Sequence, residues 1–429
     1  MLIYSPRHSA RLQYVLQYVF EEQLGIPYQV CTQREYFEQY QGDKIAYSPT
    51  PCHSVQIIAH SVLWERGVQK HDIHKKYIGN NLVLYGHEHN DLLGFDIFAA
   101  VFYCLSRYEE YLPNAKKDPW GRWIPADTSL YEKAWVDRWV LLLRQALLMH
   151  FPHLTCKEKH FVFLPTYDID IAYCYAGKSR MLTAAGYAKH LLKGKFGLLR
   201  DRYFTLSHKM KDPYDTFEYL EQLHNQYQLT ACYFFLVAQK RTSIDKNTHR
   251  DYVPMQKLIS HLATKHSIGL HASYHSFKQA GIQNEEITWL QQYTSQAVNS
   301  SRQHYLCMAM PGSYQQLTAN GICRDFSMGM VHSWGFRTGT CNTFLFYDIY
   351  TEHTTNLRIY PLIGMENGIK GNNINEMMQH ILPYINETIQ LQGTLTTLFH
   401  NQSFGIYADK NYAGLYELLL KYITDNKSC

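Results

Sequence analysis

The chain is poor in the signals that mark disulfide, membrane or nucleic-acid chemistry. Its ten cysteines are scattered and no two stand in C-x-x-C spacing. A cysteine zinc site is therefore not expected, and the scatter fits reduced thiols. No apolar run is long enough to cross a bilayer. The segment Met1 to Phe20 carries Arg7 and Arg11 and has neither an apolar core nor a small-residue cleavage site, so the expected location is the cytoplasm. A net charge of +4 over 429 residues gives no case for nucleic acid as a partner. Internal repeats and low-complexity segments are absent as well.

What is present is the composition of a folded protein, 46% hydrophobic and 18% charged. The length exceeds one small core, which predicts two domains, residues 1–155 and 160–429. Tyrosine is abundant at 35, which tilts slightly toward a carbohydrate site, since sugars often pack on aromatic faces.

Residues 1–155 read as a smaller α/β unit. Leu12, Val15, Leu16, Val19 and Phe20 form a helical stripe that Gly25 and Pro27 stop. Lys44–Tyr47 and Val55–Ile58 read as short strands. Further stripes run from Phe95 to Leu105 and from Val136 to Leu147, separated by a turn-rich stretch from Pro113 to Asp127. His87 and His89 lie in a polar loop with no catalytic spacing. From His160 onward, short apolar runs alternate with helical patterns. Strands are expected at 161–166, 231–237, 268–271, 304–306, 326–328, 357–361 and 395–400. Helices are expected near 214–225, 255–265, 285–298, 314–319 and 374–389. Such alternation predicts a parallel sheet, which could close into a barrel.

Two short stretches carry the chemistry. Thr166-Tyr167-Asp168-Ile169-Asp170 ends one apolar run, and Gly269-Leu270-His271-Ala272-Ser273-Tyr274-His275 ends another. One carboxylate and two imidazoles make a three-ligand divalent metal site with a position open for water. The other carboxylate is then available as a base. Among 23 histidines an i, i+4 pair should occur roughly once by chance, so the spacing gains meaning only from its place at strand ends. His400 ends the run Leu395 to Phe399 and can serve as a general acid. Arg302 is a candidate charge partner for a carboxylate, with Arg337 its rival. Residues 178–211 form a basic stretch with Asp201 as its single acid and with Leu191, Leu192, Phe196, Leu198 and Leu199 interleaved. It reads as a solvated helical lid, with peripheral docking on an anionic membrane or on a phosphorylated substrate as the functional alternative.

These motifs, in this order, resemble those of the polysaccharide deacetylase family (carbohydrate esterase family 4, the NodB homology domain) over residues 160–429. Ser106 to Pro113 and Phe326-Ser327-Met328-Gly329 are similar to segments of the Bacteroidetes members that carry an uncharacterised N-terminal domain. The resemblance implies a distorted (β/α)7 barrel and metal-dependent removal of N-acetyl or O-acetyl groups from sugars. By it, Asp170, His271 and His275 hold the divalent ion, usually zinc. Asp168 is the base, Arg302 orients it, His400 is the acid, and Asp325 is that histidine's acidic partner. Tyr274, His304 and Arg337 are then the substrate-binding candidates. The chain departs from the family at the third motif, where Arg302-Gln303-His304-Tyr305 stands for Arg-x-Pro-aromatic-Gly. It also has Asp-x-Asp where adjacent aspartates are common, and Asn401 follows the last histidine. An acetylated sugar or glycan is the expected substrate. The alternatives are a small cyclic amide on the same barrel, or a non-catalytic glycan-binding or scaffolding protein with a degenerate site.

Overall fold

The computed structural model describes residues 1–52 and 54–426. Its fold is α/β, built on two main sheets. The first is parallel, ordered β2-β1-β3-β4, with β1 at Leu2–Tyr4, β2 at Gln29–Cys31, β3 at Lys44–Ser48 and β4 at Gln56–Ile58. A hairpin of β5 (Lys76–Ile78) and β6 (Asn81–Val83) follows. The helix Ile97–Leu105 is apolar on every side, and all nine of its residues are buried, as a helix without a polar face must be. Asp96 caps it by accepting the Ala99 amide at 3.0 Å. The predicted stripe from Leu12 to Phe20 is helical from Ala10 and ends at Gly25, which takes a left-handed φ of 68°. The third stripe becomes the helix Trp135–His150.

The second sheet has nine strands: β7 (Val162–Ile169), β8 (Cys232–Phe235), β9 (Ser267–Ala272), β10 (Ser300–Gln303), β11 (Arg324–Asp325), β12 (Phe344–Asp348), β13 (His353–Ile359), β14 (Gly364–Met365) and β15 (Thr394–His400). Their order is β12-β13-β11-β10-β9-β8-β7-β15-β14, and only β12 is antiparallel to its neighbour. The parallel alternation expected from His160 onward is present. The pairing is one open run, without a hydrogen bond between its end strands among the described residues. The expected strand at 304–306 is instead a 3-10 turn beyond β10. The hairpin partner β12 had no counterpart in the sequence reading.

Side-chain alternation divides this sheet into two faces. Tyr167, Ile169, Tyr233, Phe235, Leu270, Ala272, Leu395 and Phe399 pack with the helices Phe217–Tyr227, Val253–Leu262, Ile374–Gln390 and Tyr412–Asn426. The other face carries Asp168, Phe234, His271, Arg302 and His400, in register on neighbouring strands: His400 opposite Asp168, Asp168 opposite Phe234, and His271 opposite Arg302. Gly269 is required on β9 because a Cβ there would lie 2.5 Å from the Phe234 ring. That ring in turn lies 4.6 Å beneath the Arg302 guanidinium.

The two parts of the chain share a core. Residues between Ile3 and Leu147 pack in one cluster with Tyr314, Phe346, Tyr347 and Ile359. Arg11 pairs with Glu352 at 2.5 Å, and the Tyr14 hydroxyl donates to the Leu345 carbonyl at 2.8 Å. Arg337 belongs to this junction. It pairs with buried Glu110 at 2.8 Å and donates to the Gly329 carbonyl at 2.9 Å, while Arg107 donates to the Arg337 carbonyl and pairs with Glu110. Cysteines 31, 52, 104, 156, 174, 232, 307, 323 and 341 are not joined in disulfides, and Cys429 lies outside the described residues. No helix among the described residues is long and apolar enough to cross a membrane.

Candidate active site

The polar face of the second sheet opens into a cavity of about 480 Å³ at the C-terminal ends of its strands, the end where α/β sheets gather ligand-binding groups. Asp168 and Asp170 share this face because they are two residues apart on β7 and its continuation, while Ile169 between them goes to the core. The departure from adjacent aspartates therefore keeps both carboxylates on one side. Asp168 is 2% exposed. Its Oδ1 accepts Arg302 Nη1 at 2.8 Å, and its Oδ2 lies 3.6 Å from His271 Nε2. Arg302 is immobilised by two further bonds, to Thr166 Oγ1 at 2.7 Å and to the Phe326 carbonyl at 2.9 Å.

Asp170, His271 and His304 offer donor atoms that all lie within 4.8 Å of one another. His271 Nε2 is 3.1 Å from Asp170 Oδ1, and His304 Nε2 is 3.7 Å from Asp170 Oδ2. Both rings are held from behind. His271 Nδ1 lies 2.9 Å from the Arg302 carbonyl, and His304 Nδ1 lies 2.8 Å from Asp245 Oδ1. That leaves each Nε2 aimed at the centre, the support a metal-binding imidazole needs. His271 Nε2 and Asp170 Oδ1 are buried with no hydrogen-bond partner. Two orphaned buried atoms facing each other fit a divalent cation, because leaving them unmet costs free energy.

The electrostatics agree. Burial alone would raise the Asp170 carboxyl, but His304, His271 and His400 outweigh it and hold the acid well below its ordinary value. Burial alone would lower His304, yet Asp170 and Asp245 raise it to about 9. A field that holds a proton on imidazole also favours a cation in its place.

His275 is not in this group, where the expected ligand set is Asp170, His271 and His275. On one continuous helix the i, i+4 spacing would put His271 and His275 on the same face. Here His271 is in β9, and His275 is on the short helix Tyr274–Lys278 that starts after a turn. His304 takes the third place because β10 pairs with β9 and ends just before it. Beyond it, Tyr305 and Leu306 have left-handed φ angles of 59° and 52°, a turn made without glycine at a strain on the order of 1–2 kcal/mol per residue.

His400 lies across the cavity mouth, its Nε2 3.7 Å from Asp170 Oδ2. Its acidic partner is Glu366, which contacts Nδ1 directly and also accepts the Ser403 hydroxyl at 3.0 Å. Asp325 does not serve in this role: it accepts the hydroxyls of Tyr314 at 2.9 Å and Ser327 at 2.7 Å. Burial would lower His400, but Glu366, with Asp170 and Asp168 behind it, raises it to about 10. The ring thus holds its proton at neutral pH. Tyr274 and Arg337 do not line the cavity. Tyr274 meets Trp120 edge-on at 5.8 Å, and Trp120 stacks on the cavity residue Tyr305 at 5.1 Å. Arg122, from the N-terminal part, does line the cavity and donates to the Tyr305 carbonyl at 3.2 Å.

Asp245 and Glu366 were missed as sequence features. Glu366 directly follows β14, and Asp245 lies within the irregular loop between β8 and the helix Val253–Leu262; position beyond a strand end was the available signal. Two acids also fix the turn after His271. Asp245 accepts the amides of Tyr274 and His275 at 2.9 and 3.3 Å, and Glu286 accepts the Ser273 amide at 3.2 Å. Burial raises the Glu286 carboxyl to about 8. The folded state therefore binds one more proton than the unfolded chain between roughly pH 4.5 and 8, and stability falls as pH rises through that window. Glu286→Gln should raise the melting temperature at pH 9 and leave it nearly unchanged at pH 4.5, a gain on the order of a few kcal/mol at the alkaline end. Equal effects at both pH values would show that this carboxyl ionises normally.

A family model of unknown function, DUF7033, matches residues 1–152. A search of curated proteins returned no match. Among solved structures, the chain is similar to a candidate polysaccharide deacetylase from Mycobacterium smegmatis, at 12% identity and TM-score 0.40, covering 63% of this chain and 85% of that one. It is similar to PuuE allantoinase at 10% identity and TM-score 0.40, covering 63% and 85%. It is similar to the catalytic domain of a peptidoglycan N-acetylglucosamine deacetylase from Eubacterium rectale at 11% identity and TM-score 0.30, covering 63% and 86%. Likenesses this distant carry no argument about the reaction, which has to be made from the residues.

Proposed function

We propose that the protein is a metal-dependent hydrolase that removes acetyl groups from N-acetylated sugars. One observation carries the reading. A carboxylate locked by a buried arginine stands beside a second carboxylate and two rear-anchored imidazoles, with a histidine bonded to Glu366 lining the same cavity. Asp170, His271 and His304 would hold a divalent ion, which when bound supplies Lewis-acid polarisation of an acyl carbonyl and lowers the pKa of water. Asp168 is placed to take a proton from water as its oxygen bonds to the acyl carbon, because Arg302 occupies Oδ1 and leaves Oδ2 toward the cavity. His400 is placed to give its proton to the leaving nitrogen when the C–N bond breaks. Water and the N-acetyl sugar become acetate and the free amine. Glu366 fixes the ring for that transfer and keeps it charged until then. O-acetyl sugars fit the same proton flow.

The test is acetate release from N-acetylglucosamine oligomers and their nucleotide-linked monomer, with zinc, cobalt or manganese added. Turnover that chelation abolishes and metal restores is the expected result. No acetate from any acetylated sugar, with metal demonstrably bound, would sink the hydrolase reading in favour of a glycan-binding protein.

A further inference from the structure

Beside the catalytic cavity lies a second one of about 680 Å³, and Tyr214 and Tyr407 line both. Its charged lining is entirely basic: Lys178, Lys189, Arg202 and Arg241, with His190, and no carboxylate among the lining residues. The helices Arg180–Leu192 and Phe196–Leu206 build much of it. Arg202 is 5% exposed, although it stands on a helix whose other residues are mostly in solvent. Its Nε and Nη1 are buried without a hydrogen-bond partner, as are Arg241 Nε and His190 Nδ1.

The nearby acids are engaged elsewhere. Asp201 accepts the Tyr407 hydroxyl at 2.9 Å and pairs with Arg200 at 3.2 Å. Asp212 accepts the backbone amides of Cys174, Tyr175 and Ala176 at 2.6, 2.8 and 3.1 Å. The guanidinium lies over two aromatic faces, Tyr175 at 4.5 Å and Tyr187 at 5.5 Å. Gly186 makes room for it, since a Cβ there would lie 2.5 Å from Nη2. Burial, with Arg202 and Arg241 close by, pushes the Lys178 ammonium below its ordinary value. Buried guanidinium donors without acceptors, crowded by like charges, are unfavourable until an anion fills the gap. Arginine paired with lysine is the donor set that phosphoryl oxygens select.

We propose that Lys178, Arg202 and Arg241 bind the phosphoryl group of a phosphorylated glycosyl substrate whose sugar enters the neighbouring cavity. The anion site stands on its own residues, and the sugar's fate rests on the deacetylase reading. The shared chemistry is a phosphate or pyrophosphate ester, carried by either a nucleoside diphosphate or a lipid. The strongly exposed Leu191 and Leu192 end the helix Arg180–Leu192, and the exposed Phe196 begins the next helix, where they would meet a membrane holding a lipid-linked donor.

Calorimetric titration of the full chain with inorganic pyrophosphate tests the site without any turnover. Saturable binding is expected in the wild type, at least tenfold weaker in Arg202→Gln and in the more accessible Lys178→Gln, and unchanged in His271→Ala. Thermal melts establish that each variant folds. Should Arg202→Gln fail to fold, Lys178→Gln alone decides. Absence of binding to the wild type, or binding to both the lysine and arginine variants as tight as to the wild type, overturns the proposal. Loss in His271→Ala alone would place the anion at the metal group and overturn it too. Acetate release is then compared for an unphosphorylated N-acetyl sugar, a nucleoside-diphosphate sugar, and a lipid-linked pyrophosphoryl sugar in neutral vesicles. A preference of tenfold or more for either phosphorylated form, lost through KM in Arg202→Gln, supports the proposal and names the carrier. Equal use of the unphosphorylated sugar overturns the substrate class. Pyrophosphate binding without acetate from any sugar leaves the anion site standing and removes the deacetylase reading.

Discussion

His304→Ala should strip the purified protein of its divalent ion, and His275→Ala should leave the ion bound. The expectation follows from which imidazole faces the centre. His304 Nε2 lies 3.7 Å from Asp170 Oδ2, in a group whose donor atoms are all within 4.8 Å of one another. His275 instead gives its backbone amide to Asp245 at 3.3 Å. Removing one of three candidate ligands should cost more than the roughly 10- to 100-fold in affinity lost when a residue that hydrogen-bonds a ligand from behind is changed. Asp245→Asn belongs to that milder class, because it weakens the bond that aims His304 without deleting a donor. Elemental analysis of the three variants beside wild type orders them: full metal in His275→Ala, reduced in Asp245→Asn, none in His304→Ala. Metal lost from His275→Ala and kept in His304→Ala would return the ligand set to the spacing suggested by the sequence.

That contrast also marks where sequence reading stops. Asp168, Asp170, His271 and His400 are legible because each ends an apolar run or stands just beyond one, and a parallel sheet gathers its strand ends on one face; Arg302 stands in the polar run Ser301 to His304 and is legible only as a charge partner and by motif order. The period of two then puts Asp168 and Asp170 on the same side without further information. His304 is legible as a substrate-binding candidate but not as a member of the candidate metal group. Its proximity to His271 comes from the pairing of β9 with β10, in which Arg302 lies opposite His271, and sequence spacing carries no trace of strand order. Asp245 lies inside the irregular loop between β8 and the helix Val253–Leu262, in a polar stretch without periodicity. Glu366 follows β14, only two residues long, which is too short for any periodicity to show. Arg337 looked like a site residue because it is an arginine in a glycine-rich turn. Its buried partner Glu110 lies over two hundred positions away, and nothing local announces that pairing. The open run of nine strands likewise depends on the β12–β13 hairpin, whose apolar strand Phe344–Asp348 packs against the N-terminal part rather than continuing the strand–helix alternation.

Asp168→Asn should retain the metal and lose about 10²- to 10⁴-fold in turnover, the range that a positioned general base contributes. Asparagine keeps the volume, and its oxygen can still accept from Arg302 Nη1, so the clamp that joins β7, β10 and the Phe326 carbonyl stays intact. What disappears is the capacity of the cavity-facing oxygen to take a proton. A stability effect is the competing outcome, because the substitution leaves Arg302 buried with only neutral partners, and breaking a buried pair costs several kcal/mol when the charge is left uncompensated. The two effects separate experimentally. Thermal melting reports the loss of charge pairing, elemental analysis reports the metal group, and acetate release at saturating substrate reports the proton transfer. Loss of turnover with full metal and a modest melting shift would identify Asp168 as the base. Loss of metal would move Asp168 into the ligand group, where its Oδ2 already lies 3.6 Å from His271 Nε2. Unchanged turnover would pass the base role to a different group, since the cavity's remaining carboxylates are Asp170 in the metal group, Glu366 bound to His400, and Asp409 at the rim.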